Sequence, residues 1–293
     1  MCEPGQVFEA QRSYLFSIAY RLLGTVGDAE DVVQEAFLRW RREAERGEDI
    51  RSPRAYLATI VVRLCMDELR SARARREVYV GPWLPEPLIT SGRADLTDSV
   101  VLRESLSFAF LLMLESLSPL ERAVFVLREV FDYDYTEIAA MVDKSEANCR
   151  QVFHRARQRL SERQARYEAT EEQREQVTEQ FMHTATTGDV QGLLRVLADD
   201  VVLIGDGGGK GFAAPQPIHS ADRVSRGFLG ALQKMPPDRA WIDEVNGQPA
   251  IVATRGGKAF AVLLLEVRAG RVQRMYSVAN PDKLRDFERR LQK

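Results

Sequence analysis

Between positions 145 and 157 the side chains Ser145, Asn148, Arg150, Gln151, His154, Arg155 and Arg157 are of the types that hydrogen-bond base edges and phosphate oxygens. They are interleaved with Cys149, Phe153, Ala156 and Leu160, which recur at i, i+4, i+7 and i+11. A helix with that spacing turns the apolar four inward and leaves the polar set outside or beside them. Ser145 is a suitable cap for it. Just before it, Tyr135 to Val142 reads as a short helix and Asp143-Lys144-Ser145 as a tight turn. This is the outline of a helix-turn-helix, whose second helix enters the major groove N-terminus first. Many helical hairpins share the outline, so the Arg, Gln and Asn on the polar edge carry the nucleic-acid reading. His154 has no second ligand nearby, which favours phosphate contact or packing over a metal. Cys149 reads as a small buried hydrophobe.

Other candidate chemistry is thinner. His183, His219, Asp199 and Asp206 are available for proton transfer, but no spacing links them into a dyad, and no enzymatic activity is expected. The cysteines at 2, 65 and 149 show no Cys-x-x-Cys spacing, which argues against a disulfide framework or a zinc site. No metal or cofactor is expected. Asp206-Gly207-Gly208-Gly209-Lys210 has two readings. Consecutive glycines can form an anion-binding nest, or the segment is a surface turn that docks on the first half of the chain. It lacks the spacing and the following Ser or Thr of a P-loop.

Charge is distributed unevenly beneath a net of −2. Residues 51–76 carry seven arginines against Asp67 and Glu68, and residues 150–166 carry six against Glu162. Residues 28–49 carry eight acids against four arginines. Two basic segments and one acidic segment suit two nucleic-acid contacts and a separate basic partner, although any one run also reads as a solvated helix face. The longest apolar runs, Phe108 to Leu114 and Ala259 to Leu265, are seven residues each. That is far short of the roughly 20 needed to span a bilayer. With no secretory signal in the first residues, a cytoplasmic location is expected.

These groups need elements to position them. The 293 residues suit about two domains as a first prior, and residues 7–167 read as almost wholly helical. Asp28 is placed as the cap of a helix whose stripe is Val33, Ala36, Phe37 and Trp40, leaving Glu30, Asp31, Gln34 and Glu35 outside. Pro53 opens the next helix, with Tyr56, Ile60, Val61 and Leu64 as its apolar face and Arg70, Arg73, Arg75 and Arg76 at its end. Arginines on the phosphates beside an aromatic suit an opened strand. Pro82, Pro85, Pro87 and Gly92 break helix across residues 78–97, which read as a linker. Within it, Trp83-Leu84-Pro85-Glu86-Pro87 is too apolar for a free tether and is expected to dock. Ser118 with Pro119 starts another helix. From about Thr170 the pattern turns α+β. Glu175 to Thr187 continues as a helix, and Asp189 begins another with Leu193, Leu194 and Leu197. Strands follow at Val201–Ile204, Ala250–Thr254, Ala259–Val267 and Arg271–Ala279, with Gly256-Gly257 and Ala269-Gly270 as hairpin turns. The expectation is helices followed by a curved antiparallel sheet, an open cone that commonly encloses a pocket. Asn280 caps a helix after the last strand.

The motifs resemble an extracytoplasmic-function sigma factor. Tyr20-Arg21-Leu22-Leu23-Gly24, the run Asp28 to Phe37 and Asp67-Glu68-Leu69-Arg70 are similar to its region 2. Leu117 to Arg122, Tyr135 to Ala139 and Ser145 to Arg157 are similar to its region 4. The resemblance implies that Asp28, Glu30, Asp31, Gln34 and Glu35 bind the clamp helices of core RNA polymerase, with a further contact at the flap. It implies that Tyr56, Arg63, Arg70, Arg73, Arg75 and Arg76 melt and read the minus-10 element, and that the Ser145 helix reads the minus-35 element. Ala147 stands where the family has glycine, and Val152 where many relatives carry a basic residue.

The second half resembles the SnoaL-like branch of the nuclear-transport-factor-2 superfamily through Gly188 to Leu194 and Asp199 to Val202. Taken with Trp83 to Pro87, Asp206 to Lys210 and Asn280-Pro281-Asp282-Lys283-Leu284, the whole chain resembles the sigma-factor subgroup fused to such a domain. That implies a regulator acting in cis through those three motifs. The expected architecture is multidomain: a region 2 helical bundle at 1–77, a linker at 78–97, an all-α region 4 helix-turn-helix at 98–168, and an α+β SnoaL-like cone at 169–293. A one-component DNA-binding regulator with a ligand-sensing cone is the alternative, which the acidic helix disfavours. The promoter sequence, a small ligand in the cone, the sign of the regulation and the oligomeric state stay open.

Overall fold

The computed structural model describes residues 4–46, 50, 52–93, 96, 99–161, 169–285 and 287. They fall into two compact units. The first comprises residues 1–77, 93–106 and 110–164; the second comprises 78–92, 107–109 and 165–293. Among the described residues no helix is long and apolar enough to cross a membrane.

In the first unit, α1 (Pro4–Glu9), α2 (Arg12–Leu23), α3 (Val26–Glu45) and α4 (Pro53–Glu77) form one bundle. Leu15, Ile18, Ala19 and Leu22 of α2 are buried together with Ala29, Val33, Ala36 and Trp40 of α3. Each such large apolar side chain contributes about 1.5–3 kcal/mol on burial. Two details of the sequence reading are corrected. The N-cap of α3 is Thr25, not Asp28. Asp28 lies in the first turn and accepts a hydrogen bond from the Thr25 hydroxyl at 2.6 Å, an acid at the positive end of the helix dipole. On α4 the buried stripe is Leu57, Ala58, Val61, Val62, Cys65, Met66 and Leu69, while Tyr56, Ile60 and Leu64 are only half-buried. Cys65 is 0 % exposed, and this burial pushes its thiol pKa well up, so it stays a protonated apolar group.

The second set of helices is α5 (Val100–Glu104), α6 (Phe108–Leu114), α7 (Pro119–Glu129), α8 (Tyr135–Val142) and α9 (Glu146–Ser161), all in this unit except the first two residues of α6. Both α7 and α8 begin with reciprocal capping boxes, Ser118 with Glu121 and Asp134 with Glu137. Asp143 ends α8 in the left-handed region at φ 55°, which makes the turn tight. Ser145 then caps α9, accepting from the Asn148 amide at 3.2 Å.

In the second unit, α10 (Glu171–Thr187), α11 (Val190–Val196) and α12 (Ala221–Lys234) pack on a six-stranded sheet. Its strands are β1 (Leu197–Asp206), β2 (Ile218–His219), β3 (Arg239–Val245), β4 (Gln248–Arg255), β5 (Lys258–Arg268) and β6 (Arg271–Val278). The order is β2-β1-β6-β5-β4-β3. The expected all-antiparallel sheet is corrected, because β1 pairs with β6 in parallel. The helix α12 and the strands β2 and β3 add to the elements read from the sequence. One face of the sheet packs through Leu203, Ile251, Leu263, Leu265 and Met275 against Phe181, Leu193, Val224 and Leu229 of the helices.

Candidate nucleic-acid interface and linker clamp

The recognition-type helix α9 buries Cys149, Val152, Phe153, Ala156 and Leu160. Its opposite side presents Asn148, Arg150, Gln151, His154, Arg155 and Arg157 to solvent, and Ser145 is exposed at its start. Val152 is 2 % exposed, so the departure at this position sits in the core and offers no base contact. Arg150 is steadied by Glu146 at 3.0 Å and lies 4.7 Å from the centre of the Tyr135 ring. Arg159 reaches back to Glu121 at 3.0 Å and ties α9 to α7. Burial opposes ionisation of Glu121, but the cap bonds at Ser118 and the positive charges of Arg159 and Arg155 outweigh it. Its carboxyl therefore sits below the usual range.

On α3, Glu30, Asp31 and Gln34 are exposed, while Asp28 and Glu35 are half-buried. Glu35 pairs with Arg39 at 2.8 Å. On α4, Tyr56 packs 6.1 Å from the Trp40 ring, and Arg70 is exposed beside Asp67 at 2.5 Å. Arg73, Arg75 and Arg76 continue α4, and their side chains lie outside the described residues. Arg63 is engaged within the protein. Its guanidinium donates to the carbonyls of Met141 and Ala140 at 3.0 Å each, at the negative end of the α8 dipole.

Arg63 is one of several fasteners between the α1–α4 bundle and the later helices. Arg21 is wholly buried and donates to the Ser105 hydroxyl at 2.7 Å, the Leu102 carbonyl at 2.8 Å and the Leu96 carbonyl at 3.2 Å. Burial pulls its pKa down to about 9. Arg122, 3 % exposed, donates to the Leu22 carbonyl at 2.8 Å and to Glu115 at 2.8 Å, and burial lowers its pKa to about 10. The Tyr14 and Tyr133 hydroxyls meet at 2.5 Å, with Arg54 stacked 3.9 Å from the Tyr14 ring centre. Sequence reasoning missed these fasteners. An arginine inside an otherwise apolar helical stretch, as at position 21, was the available signal.

In the second unit three motifs converge on Asp206, whose carboxylate is fully buried. One oxygen accepts from the Tyr79 hydroxyl at 2.5 Å; the other accepts from the Leu84 amide at 2.9 Å and from Lys283 at 2.7 Å. Lys283 also donates to the Leu84 carbonyl and sits 4.3 Å from the centre of the Trp83 ring. Asn280 donates to the Tyr79 hydroxyl at 2.8 Å, and burial together with the Asp206 charge raises the Tyr79 pKa. The glycines let backbone approach backbone: a Cβ on Gly211 would come within 1.8 Å of the Ala279 carbonyl oxygen. Lys210 pairs outside with Asp282 at 2.5 Å. Trp83 is half-buried, and Leu84, Pro85, Glu86 and Pro87 are buried. Gly207 hydrogen-bonds within the loop, Pro281 opens a short 3₁₀ turn capped by Asn280, and Leu284 follows it, 1 % exposed. Of the candidate proton-transfer groups, His183, His219 and Asp199 are exposed, whereas both Asp206 oxygens are engaged in this clamp.

Residues 7–75 match the Sigma-70 region 2 family model and residues 107–160 match Sigma-70 region 4. The chain is 38 % identical over 290 residues to the ECF RNA polymerase sigma factor SigJ of Mycobacterium tuberculosis, covering 94 % of this chain and 91 % of that one. It is 35 % identical over 279 residues to the probable ECF RNA polymerase sigma factor SigI of the same species, covering 94 % and 93 %. The crystal structure of M. tuberculosis SigJ superposes with a TM-score of 0.74 at 36 % identity, over 94 % of this chain and 96 % of that one. With both sigma regions matched in order, and with relatives aligned through the α+β unit to nearly full length, the chain belongs to the ECF RNA polymerase sigma factors.

Proposed function

We propose that this sigma factor binds core RNA polymerase through the exposed acids of α3, opens and reads the minus-10 element with α4, and reads the minus-35 element with α9. The C-terminal unit regulates those steps in cis by holding the linker, and it performs no catalysis. The observation that carries this reading is the Asp206–Lys283 pair, 0 % and 8 % exposed at the side chain, which grips the main chain of Leu84 from both sides. Loss of either partner of a buried ion pair is costly, because the other is left charged and buried.

The engagement of Arg63 supports the same view. With Nε and one Nη of Arg63 engaged by the Met141 and Ala140 carbonyls, its remaining N–H donors can meet a promoter phosphate only in the orientation that capping α8 fixes, so the joined arrangement and promoter engagement compete for the position of this side chain. The arrangement described here is then a resting one, and promoter engagement requires α4 and α8 to part. Two weak DNA-binding regions joined by a linker gain from effective concentration only when that linker spans their sites.

The test is transcription in vitro with core polymerase, comparing the full chain, a truncation after Arg166, a truncation just before Asn280, and Asp206→Asn. Promoter-specific initiation is expected from the full chain, with a changed level in the other three. Absence of initiation from every form, with polymerase that is active with another sigma factor, overturns the reading.

A further inference from the structure

The linker is gripped a second time, away from Asp206. Strand β3 lies at the sheet edge, and its end meets residues 88–91 through an isolated antiparallel bridge and the hydrogen bonds around it. The Thr90 and Ser91 amides donate to the Glu244 carbonyl at 2.9 and 3.3 Å, and Ile89 bridges Val245 in antiparallel sense. The Asn246 amide donates to the Leu88 carbonyl at 2.8 Å, and the Leu88 amide donates to the Asn246 side-chain oxygen at 2.9 Å. The Gly247 amide donates to the Thr90 hydroxyl at 3.0 Å.

Asn246 and Gly247 form the β3–β4 hairpin turn, with φ 54° and 69°, the two positive values that favour an Asn-Gly pair. A hairpin tip is ordinarily solvated. Here Asn246 and Val245 are wholly buried and Thr90 is 1 % exposed. An asparagine at this turn therefore has a second task beyond tolerating positive φ: its side-chain carbonyl satisfies a linker amide that would otherwise be buried without a partner.

We infer that the Asn246–Gly247 turn is an independent anchor of the linker, so that residues 79–84 and residues 88–91 are released in separate steps. The two grips share no residue. One is built from Asp206, Asn280 and Lys283, the other from β3 and its turn. Pro85 and Pro87 lie between them, with fixed φ and no amide hydrogen, and they part the two hydrogen-bonded stretches. Opening the Asp206 grip alone frees residues 79–84, which extend to roughly 20 Å; opening both frees 79–91, roughly 45 Å. The turn thus sets how much linker becomes available. This inference rests on the linker being the regulated element.

The experiment is amide hydrogen exchange on the full chain. Asn246→Gly keeps the positive φ and removes the side-chain oxygen; Thr90→Val removes the second acceptor at nearly constant volume; Lys283→Met opens the other grip. Asn246→Gly and Thr90→Val are expected to speed exchange at Leu88, Thr90 and Ser91 about tenfold while the Leu84 amide keeps its rate. Lys283→Met is expected to do the reverse. If both stretches accelerate together in each variant, the linker has one cooperative clamp and the inference falls. If neither turn variant changes exchange at 88–91, it falls as well. Because exchange is read without polymerase, a failed transcription assay overturns the sigma-factor reading and leaves this result standing on its own.

Discussion

At the scale of single residues, the side chains that hold the first unit together and those proposed to meet DNA are mostly the same type, arginine. Burial separates their tasks. Arg21 and Arg122 are fixed to main-chain carbonyls, whereas Arg155 and Arg157 stand exposed on α9. Arg21→Met should remove the buried donor to the Ser105 hydroxyl, the Leu96 carbonyl and Ser17, leaving the Leu102 carbonyl only its bond from Ser105, and should cost about 2–4 kcal/mol in urea denaturation. Arg21→Lys should not restore it, since one ammonium cannot reproduce the planar fork. A loss under about 0.5 kcal/mol would remove Arg21 from the list of fasteners. Arg155→Ala should leave stability nearly unchanged and weaken binding to a minus-35 duplex, lowering the salt slope by about 1 if the contact is to phosphate. An unchanged slope together with relaxed base preference would make Arg155 a base reader instead.

At the scale of elements, capping and pH meet at the start of α7. The Glu121 carboxyl closes the Ser118 capping box and receives Arg159 from α9. Its pKa is lowered in the folded chain, so its contribution is present above the unfolded carboxyl value of about 4.3 and is lost as pH falls through the lower folded value. Glu121→Gln keeps an acceptor for the Ser118 amide but carries no charge. Denaturation between pH 7 and 3 should therefore show a smaller acid loss in the variant than in the parent, and equal losses would refute the coupling. This helix was legible from Ser118-Pro119 alone, as was the buried stripe of α9 from its spacing. The face of α4 was not: Ile60, Val61, Val62 and Leu64 are apolar nearly all round, so periodicity could not tell Leu57–Val61–Cys65 from Tyr56–Ile60–Leu64. α12 carries a clear apolar stripe through Ala221, Val224, Phe228 and Leu232 that the sequence reading passed over, its Gly227 and Gly230 being poor helix formers. β3 mixes Arg239, Asp243 and Glu244 into an edge strand, and the parallel pairing of β1 with β6 joins segments some seventy positions apart, which local pattern does not reveal. The three motifs of the clamp were legible as candidates; their common centre at Asp206 was not, because burial of a carboxylate depends on where Lys283 and the Leu84 amide arrive.

At the scale of the whole molecule, the proposed function gives the first unit two states, one joined and one open. The helices α4 and α8 are joined by Arg63 through two charge-assisted bonds to main-chain oxygens, and on the proposed reading a promoter phosphate competes for the same guanidinium. Arg63→Ala should weaken the joined state by about 1.5–3 kcal/mol, raising the open population roughly ten- to a hundredfold. Paired spin labels on exposed positions of α4 and α9 would read this as a new longer-distance component in the free chain. In the parent that component should arise only with core polymerase and promoter together, since a ligand shifts such an equilibrium solely through its preference for one state. Arg63→Ala should then separate two quantities that normally move together: the free chain opens more readily, while transcription falls because the phosphate contact is gone. If the variant opens more and transcribes more, Arg63 acts only as a latch and the minus-10 contact belongs to its neighbours on α4. If spacing between the labels is the same in the free chain and in the promoter complex, the joined arrangement is the working one and the competition for Arg63 does not exist.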